Sequence, residues 1–308
     1  MEFTQIIQVG CGADVHKEII VATIRRSDTD YETREFGSYT SSLTELRKWC
    51  KEEGVTHFAM ESTGVYWKPV FNILEEEESI EILLVNARHV KNVPGHKTDK
   101  KDSIWLSKLL VSGLLKASFI PPVEIRELRD LVRYKKKMIG QLASEKNRII
   151  RILEDANIKL SSVLTDVDGA TGSKIVEDII KGKTHPEELI KHYHGKIHKS
   201  KDEFALALEG KLTDHHRLML KIIKRSISDK EALIKELETQ IDIKVEKYGV
   251  QLEHLQTIDG VGKSSAITII SEIGLDMNQF PSDKHISSWA GMSPGNNESG
   301  GKKKSLNQ

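Results

Sequence analysis

Between Ile125 and Ala156 the chain places Ile125, Leu128, Val132, Lys135, Ile139, Leu142, Lys146, Ile149, Leu153 and Ala156 three and four residues apart in strict alternation. Eight of these ten positions are apolar. Such spacing is a heptad seam, and only a long helix brings it onto one side. A second seam runs through Leu220, Ile223, Ile227, Lys230, Ile234, Leu237, Ile241 and Lys244. Two helices of this kind pair with each other as an antiparallel arm or with those of another copy. Lysines on both seams disfavour a long dimeric coil and predict a short, partly irregular coiled coil. Residues 161–215 between the seams are punctuated by Gly and His, which predicts several short helices.

Upstream the period is different. Residues 5–36 alternate short apolar runs with turns, "IIQVGCGADV", "EIIVATI" and "TREFGSYT", which predicts three antiparallel strands. A helix over "LTELRKWCKEE" follows, capped by Ser41 or Ser42 and ended by Gly54. Then come a strand in "THFAMES", a helix from about Val65 to Glu76, a strand in "EILLVN", and a helix from about Thr98 to Leu115. Three strands followed by alternating helix and strand predict a mixed α/β sheet with helices on its faces. Pro121 and Pro122 close this unit. The expected domains are 1–122, a helical region over 123–250, and a mainly helical domain over 251–308.

The chain of 308 residues is 38% hydrophobic, enough for more than one core. No run of 18 apolar residues and no secretory signal is present, so a cytoplasmic protein without membrane contact is expected. Cys11 and Cys50 have neither disulfide nor metal spacing and read as buried thiols. Net charge is zero, with 46 basic and 46 acidic residues, so partners are indicated by distribution only. Residues 133–151 carry seven basic residues against one acidic, among them Arg133, Lys135, Lys136 and Lys137. Residues 86–101 carry five, including Lys97, Lys100 and Lys101, against Asp99. Either stretch is a solvated face or a surface for nucleic-acid phosphates.

Four acids stand where chemistry could use them. Asp14 ends one expected strand and Glu61 another, while Asp99 and Asp102 lie three apart at the start of a helix, on one face. Phosphodiester chemistry with Mg2+ needs hard oxygen ligands converging from separate elements. Each acid alone is equally a surface carboxylate or a cap; only the joint arrangement points to a metal. Near the C-terminus, Ile258, Gly260, Val261 and Gly262 form an apolar-x-Gly-apolar-Gly turn ahead of the helix "KSSAITIISEIG". This predicts a helix-hairpin-helix that offers backbone N–H groups and Lys263 to a phosphate, without base specificity. In "WAGMSPGNNESGGKKKS", Ser299 between a glutamate and two glycines is a candidate nucleophile, provided a base or metal activates it. Histidines 192, 194, 198, 215 and 216 raise the question of a metal site, but "KHYHGKIH" is Lys-rich and lacks acid or cysteine partners, so they read as solvated or facing nucleic acid.

Taken together, "ADVHK", "ESTGVYW", "GHKTDKKDS" and the C-terminal "IDGVGKSSAITIISEIG…WAGMSPGNNESGGK" resemble the DEDD transposases of bacterial insertion sequences, relatives of the Piv DNA invertase. The resemblance spans nearly the whole chain. It implies an RNase H-like, RuvC-related N-terminal domain, a helical arm and a C-terminal transposase domain. It further implies that Asp14, Glu61, Asp99 and Asp102 hold magnesium and that Ser299 forms a covalent phosphoserine with DNA. Such proteins act as homo-oligomers, dimers or tetramers, guided to donor and target DNA by an element-encoded RNA. Family members usually continue past "SGGKKKS" with a basic helical stretch, so a shortened C-terminal domain is expected here. Two rivals remain: a RuvC-like metal-dependent nuclease that uses water as nucleophile, and a non-catalytic nucleic-acid-binding remnant.

Overall fold

The computed structural model describes residues 6–62, 64–86, 99–292, 298–299 and 302–303, with the side chains of 99–101 and of the last two segments outside the description. It divides into two compact units, Met1–Ile120 and Pro121–Gln308. Among the described residues no helix is long and apolar enough to cross a membrane.

In the first unit, strands β1 (Gly10–Val15), β2 (Ile19–Arg25) and β3 (Tyr31–Gly37) form the expected antiparallel meander. Helix α1 (Thr40–Glu52) leads to β4 (His57–Glu61), α2 (Trp67–Leu74) leads to β5 (Glu81–Val85), and α3 (Asp99–Val111) follows. The strand order is β3-β2-β1-β4-β5, with β4 parallel to both β1 and β5. This mixed α/β sheet is compatible with an RNase H-like transposase domain. One face buries Cys11, Ala13, Ile20, Ile24, Phe58 and Met60 against Leu43, Leu46 and Trp49 of α1 and Val70, Phe71 and Leu74 of α2. The other face, with Ala59 and Val85, receives Leu106 and Leu110 of α3. Both cysteines are buried free thiols, as expected.

The cap of α1 differs from expectation. Its N-cap position is Tyr39, without a side-chain cap, and Ser42 lies inside the helix. The Ser42 hydroxyl instead accepts the Gly37 N–H at 2.9 Å. The backbone donor at the end of β3 is thereby satisfied before the chain turns into the helix. Gly54, at φ 70°, ends α1 as expected.

The second unit is almost entirely helical. Two long helices, α4 (Val123–Asp155) and α9 (Asp214–Val245), run antiparallel, as the ion pairs Lys244–Glu127 at 2.6 Å and Lys135–Glu238 at 3.5 Å register. The two seams therefore meet within one chain. At one end Ile125, Leu128 and Val132 share a core with Ile241 and Val245. Helices α10 (Gly249–Gln256) and α11 (Lys263–Ile273) complete it with Leu252, Ala266, Ile267 and Ile270. At the other end Ile149 and Leu153 pack with Leu220, Ile223 and Ile227. That core is closed by the short helices α5 (Leu160–Val163), α6 (Ala170–Ile180), α7 (Pro186–Leu189) and α8 (Lys201–Ala207), as the Gly and His punctuation predicts. After α11 come α12 (Asp283–Trp289) and a two-stranded ribbon, β6 (Glu298–Ser299) with β7 (Lys302–Lys303).

Between the two cores the seam loosens. Ile139, a seam position, is 47% exposed, while Met138 beside it is buried. A helix of 3.6 residues per turn drifts away from a 3.5-residue repeat, which moves the apolar stripe along the sequence. The seam lysines answer acids: Lys146 pairs with Asp168 and with Glu231 at 3.8 Å, and Lys230 with Glu145 at 4.0 Å. Their aliphatic stems cover the seam while the ammonium groups reach carboxylates at its edge.

Candidate active site

The site begins with strand register. On β1 and β4, Gly10 lies beside His57 and Ala13 beside Met60, so the next residues along the two parallel strands are Asp14 and Glu61. Pairing of parallel strands thus brings two acids that are 47 positions apart in sequence to adjacent places at one end of the sheet.

Helix α3 supplies the third acid through an unusually close approach. A Cβ on Gly12 would stand 2.3 Å from the Ser107 backbone nitrogen and 2.8 Å from the Ser103 carbonyl oxygen. Any side chain at position 12 would push α3 off the sheet. Small hydroxyls line the helix side of this contact: buried Ser103 hydrogen-bonds Thr23 at 2.8 Å, and Ser107 accepts from the Arg25 guanidinium at 3.2 Å. Thr23 also bonds Thr33 on β3 at 2.8 Å. Asp102 immediately precedes Ser103 and is exposed.

Asp14 senses the other two acids. Burial pushes the Asp14 carboxyl above the usual carboxylate range, His16 opposes this, and the charges of Asp102 and Glu61 push it further up. The His16 ring nitrogen Nε2 lies 2.9 Å from Asp14 Oδ2. Sequence reading missed His16, although the spacing in "DVH" signals it. Residues two apart on a strand face the same side. It equally missed Gly12 and the serines of α3, whose spacing of four marks one helix face.

Asp99 opens α3 as expected, but its side chain lies outside the described residues, as do those of Lys100 and Lys101 and the whole of Lys97. Ser299 is described only as backbone in β6. Among the described residues no three His, Cys, Asp or Glu side chains are gathered closely enough to hold a metal ion as they stand.

The turn 257–262 joins α10 to α11, with Gly260 at φ 84°, a conformation that favours glycine. Gly262 has extended backbone and occupies the N-cap position of α11, which has no side-chain cap. Lys263 does not stand alone at this turn: its ammonium donates to Asp242 at 2.8 Å. The basic stretch of α4 is similarly engaged. Arg133 grips Glu272 with two 2.7 Å bonds and lowers that carboxyl below its usual range, while Lys136 and Lys137 are exposed.

The histidines need correction, because two of them have acidic partners that local sequence could not show. His192 bonds Asp178 and His216 bonds Asp155, both at 2.9 Å, across 14 and 61 residues. Asp178 is buried and also receives Lys183 at 2.8 Å and Lys191 at 2.9 Å, so this cluster holds the short helices together. His194 bonds Thr171 at 2.9 Å.

Comparison with protein families gives two matches. Residues 11–158 match a DEDD transposase model of the IS110 type, and residues 252–308 match the model described as transposase IS116/IS110/IS902 family. A comparison with curated proteins returned no match. The first match covers the acid-bearing sheet from the second residue of β1 and reaches past the end of α4; the second begins within α10 and covers the glycine turn, α11 and all that follows. The chain carries two domains of IS110-family transposases, which act on DNA.

Proposed function

We propose that this transposase cleaves and rejoins DNA with Asp14, Glu61, Asp99 and Asp102 holding Mg2+ and Ser299 as nucleophile. The observation that carries the reading is the meeting of Asp14 and Glu61 on adjacent parallel strands, within the field of Asp102. Hard carboxylate oxygens carrying mutually repelling charge suit a hard divalent cation, and the DEDD families use one. When bound, the cation would neutralise charge on the phosphate oxygens and lower the barrier by several kcal/mol. The residues of the chain do the rest. The Ser299 Oγ would form a bond to phosphorus as one backbone P–O bond breaks; the serine proton passes to solvent water, and the departing DNA oxygen takes up a proton and leaves as a hydroxyl. Because the product is a phosphoserine ester, the attack of a DNA hydroxyl on it rejoins a strand without outside energy.

The other elements take supporting roles in this reading. The turn at Gly260 and Gly262 is a helix-hairpin-helix that seats a DNA phosphate on the N-terminus of α11, with Lys263 exchanging Asp242 for the phosphate. The α4–α9 pair is a short coiled-coil arm used in assembly as a dimer or tetramer. Lys97, Lys100, Lys101, Lys136 and Lys137 face DNA and an element-encoded guide RNA, with salt-dependent affinity, and Arg133 and Lys135 join them only by exchanging Glu272 and Glu238 for a phosphate. Residues 1–122, 123–250 and 251–308 divide these tasks.

The test is incubation with the element's ends, its flanking RNA and Mg2+, read as recombined product and as a covalent protein–DNA adduct. Ser299→Ala is expected to abolish the adduct, and Asp14→Ala to reduce cleavage on the order of 10³-fold. Undiminished cleavage in Ser299→Ala would instead identify a RuvC-like nuclease that uses water. Binding without cleavage under any metal would identify a non-catalytic remnant.

A further inference from the structure

The acid site contains a residue to which the proposed strand exchange gives no task. His16 lies just beyond β1, where its backbone N–H donates to the Ile19 carbonyl at 3.0 Å and closes the turn into β2. That bond fixes the backbone from which the imidazole projects. Its ring shares the strand face of Asp14, and Nε2 stands 2.9 Å from Asp14 Oδ2. An ionised carboxylate only accepts hydrogen bonds, so Nε2 carries the proton and donates it. The His16 side chain is 52% exposed, whereas that of Asp14 is 16% exposed. An imidazole so open to water adds little stability through a polar contact. The contact therefore has its value in where it holds the carboxylate.

Resting on the assignment of Asp14 as a metal ligand, we propose that His16 is a positioning residue of the acid site: its Nε2–H occupies Asp14 Oδ2 and leaves Oδ1 for the cation. Metal-ligating carboxylates are commonly oriented by a hydrogen-bond donor of this kind, and loss of such a donor typically weakens metal affinity about 10–100-fold. His16 acts through Asp14 and does not itself hold the metal. A rotating Asp14 would present either oxygen, or both, to its repelling neighbours Glu61 and Asp102; the imidazole removes that freedom.

The experiment uses the full chain without nucleic acid and Mn2+ alone as probe, with the free ion measured by electron paramagnetic resonance. Asp14→Ala is expected to remove the site. His16→Ala should weaken Mn2+ binding about 10–100-fold while the melting temperature stays within about 2 °C of the parent. His16→Gln, whose amide nitrogen can donate from nearly the same place, should recover most of the affinity. Mn2+ binding unchanged in His16→Ala but lost in Asp14→Ala overturns the positioning role and leaves Asp14 a ligand. Binding lost equally in His16→Ala and His16→Gln also overturns it, since a residue that ligates the ion directly behaves in that way. Binding unchanged in all three variants overturns the metal assignment and the role of His16 with it.

Discussion

Helix α3 meets β1 through a glycine and two serines, whereas between and beside its two apolar cores α4 meets α9 through lysines and glutamates. At the first contact backbone touches backbone, and there is no side chain whose rotation can absorb an error. At the second, ammonium groups on four-carbon stems reach carboxylates on flexible two-carbon stems, and many arrangements serve equally well. The first contact sets the place of Asp102 relative to Asp14, where displacements well under 1 Å matter to chemistry. The second sets only the spacing of two helices. Precision is built here from small residues, and tolerance from long charged ones.

The sharpest way to break this comparison is Gly12→Ala. With the backbone nitrogen of Ser107 only 2.3 Å from the new Cβ, the helix must move. We expect the variant to lose about 3 kcal/mol of stability in urea unfolding, the upper part of the range for overpacking. A loss below about 1 kcal/mol would show that α3 slides on the sheet, and the contrast with α4 would disappear.

Asp178→Asn asks what lysines do when their acid is buried. Lys183, His192 and Lys191 hold the Asp178 carboxyl far below the usual carboxylate range. Removing its charge should cost about 3 kcal/mol at pH 7, because three donors lose their anion. The folded value lies below the unfolded one, so the stabilisation is present above the unfolded aspartate range near pH 4 and fades as acid is added below it. Unfolding at pH 7 and at pH 3 should accordingly show a gap between parent and variant that narrows in acid. An equal gap at both would mean that shape, not charge, matters at this position.

Lys135→Met should do least. Its ammonium is 3.5 Å from a half-exposed Glu238, a pair expected to contribute no more than about 0.5 kcal/mol. Thermal unfolding that moves by more than the equivalent of about 1.5 kcal/mol would place the α4–α9 contact with the precise kind.

Features with a period were legible in the sequence. The three antiparallel strands, the alternation of strand and helix, the two long helices and the short ones between them all follow from apolar spacing. Asp14 and Glu61 were legible as strand ends, because a strand that stops on an acid beside an apolar run is a local signal. What escaped depends on distant partners. Gly12 looks like a turn residue until α3 is laid against it, Ser42 looks like a cap until the end of β3 needs an acceptor, and His192 looks solvated until Asp178 arrives from another helix. His16 escaped for a different reason: its relation to Asp14 is local, but the chemistry of the acids drew the reading past it. The side chains of Asp99 and Ser299 lie outside the described residues, so their part in the site rests on sequence.

The bare backbone at position 12 also determines how this protein can be inactivated. Gly10 is similarly pressed, since a Cβ there would meet Val111 at 3.0 Å and Leu110 at 3.1 Å. On the proposed assignment, a random change at the acids would remove a ligand, while a random change at Gly10, Gly12, Ser103 or Ser107 would disturb the alignment between the acids. The genetic target for silencing the element is therefore larger than its catalytic chemistry, and part of it lies at residues that carry no reactive group.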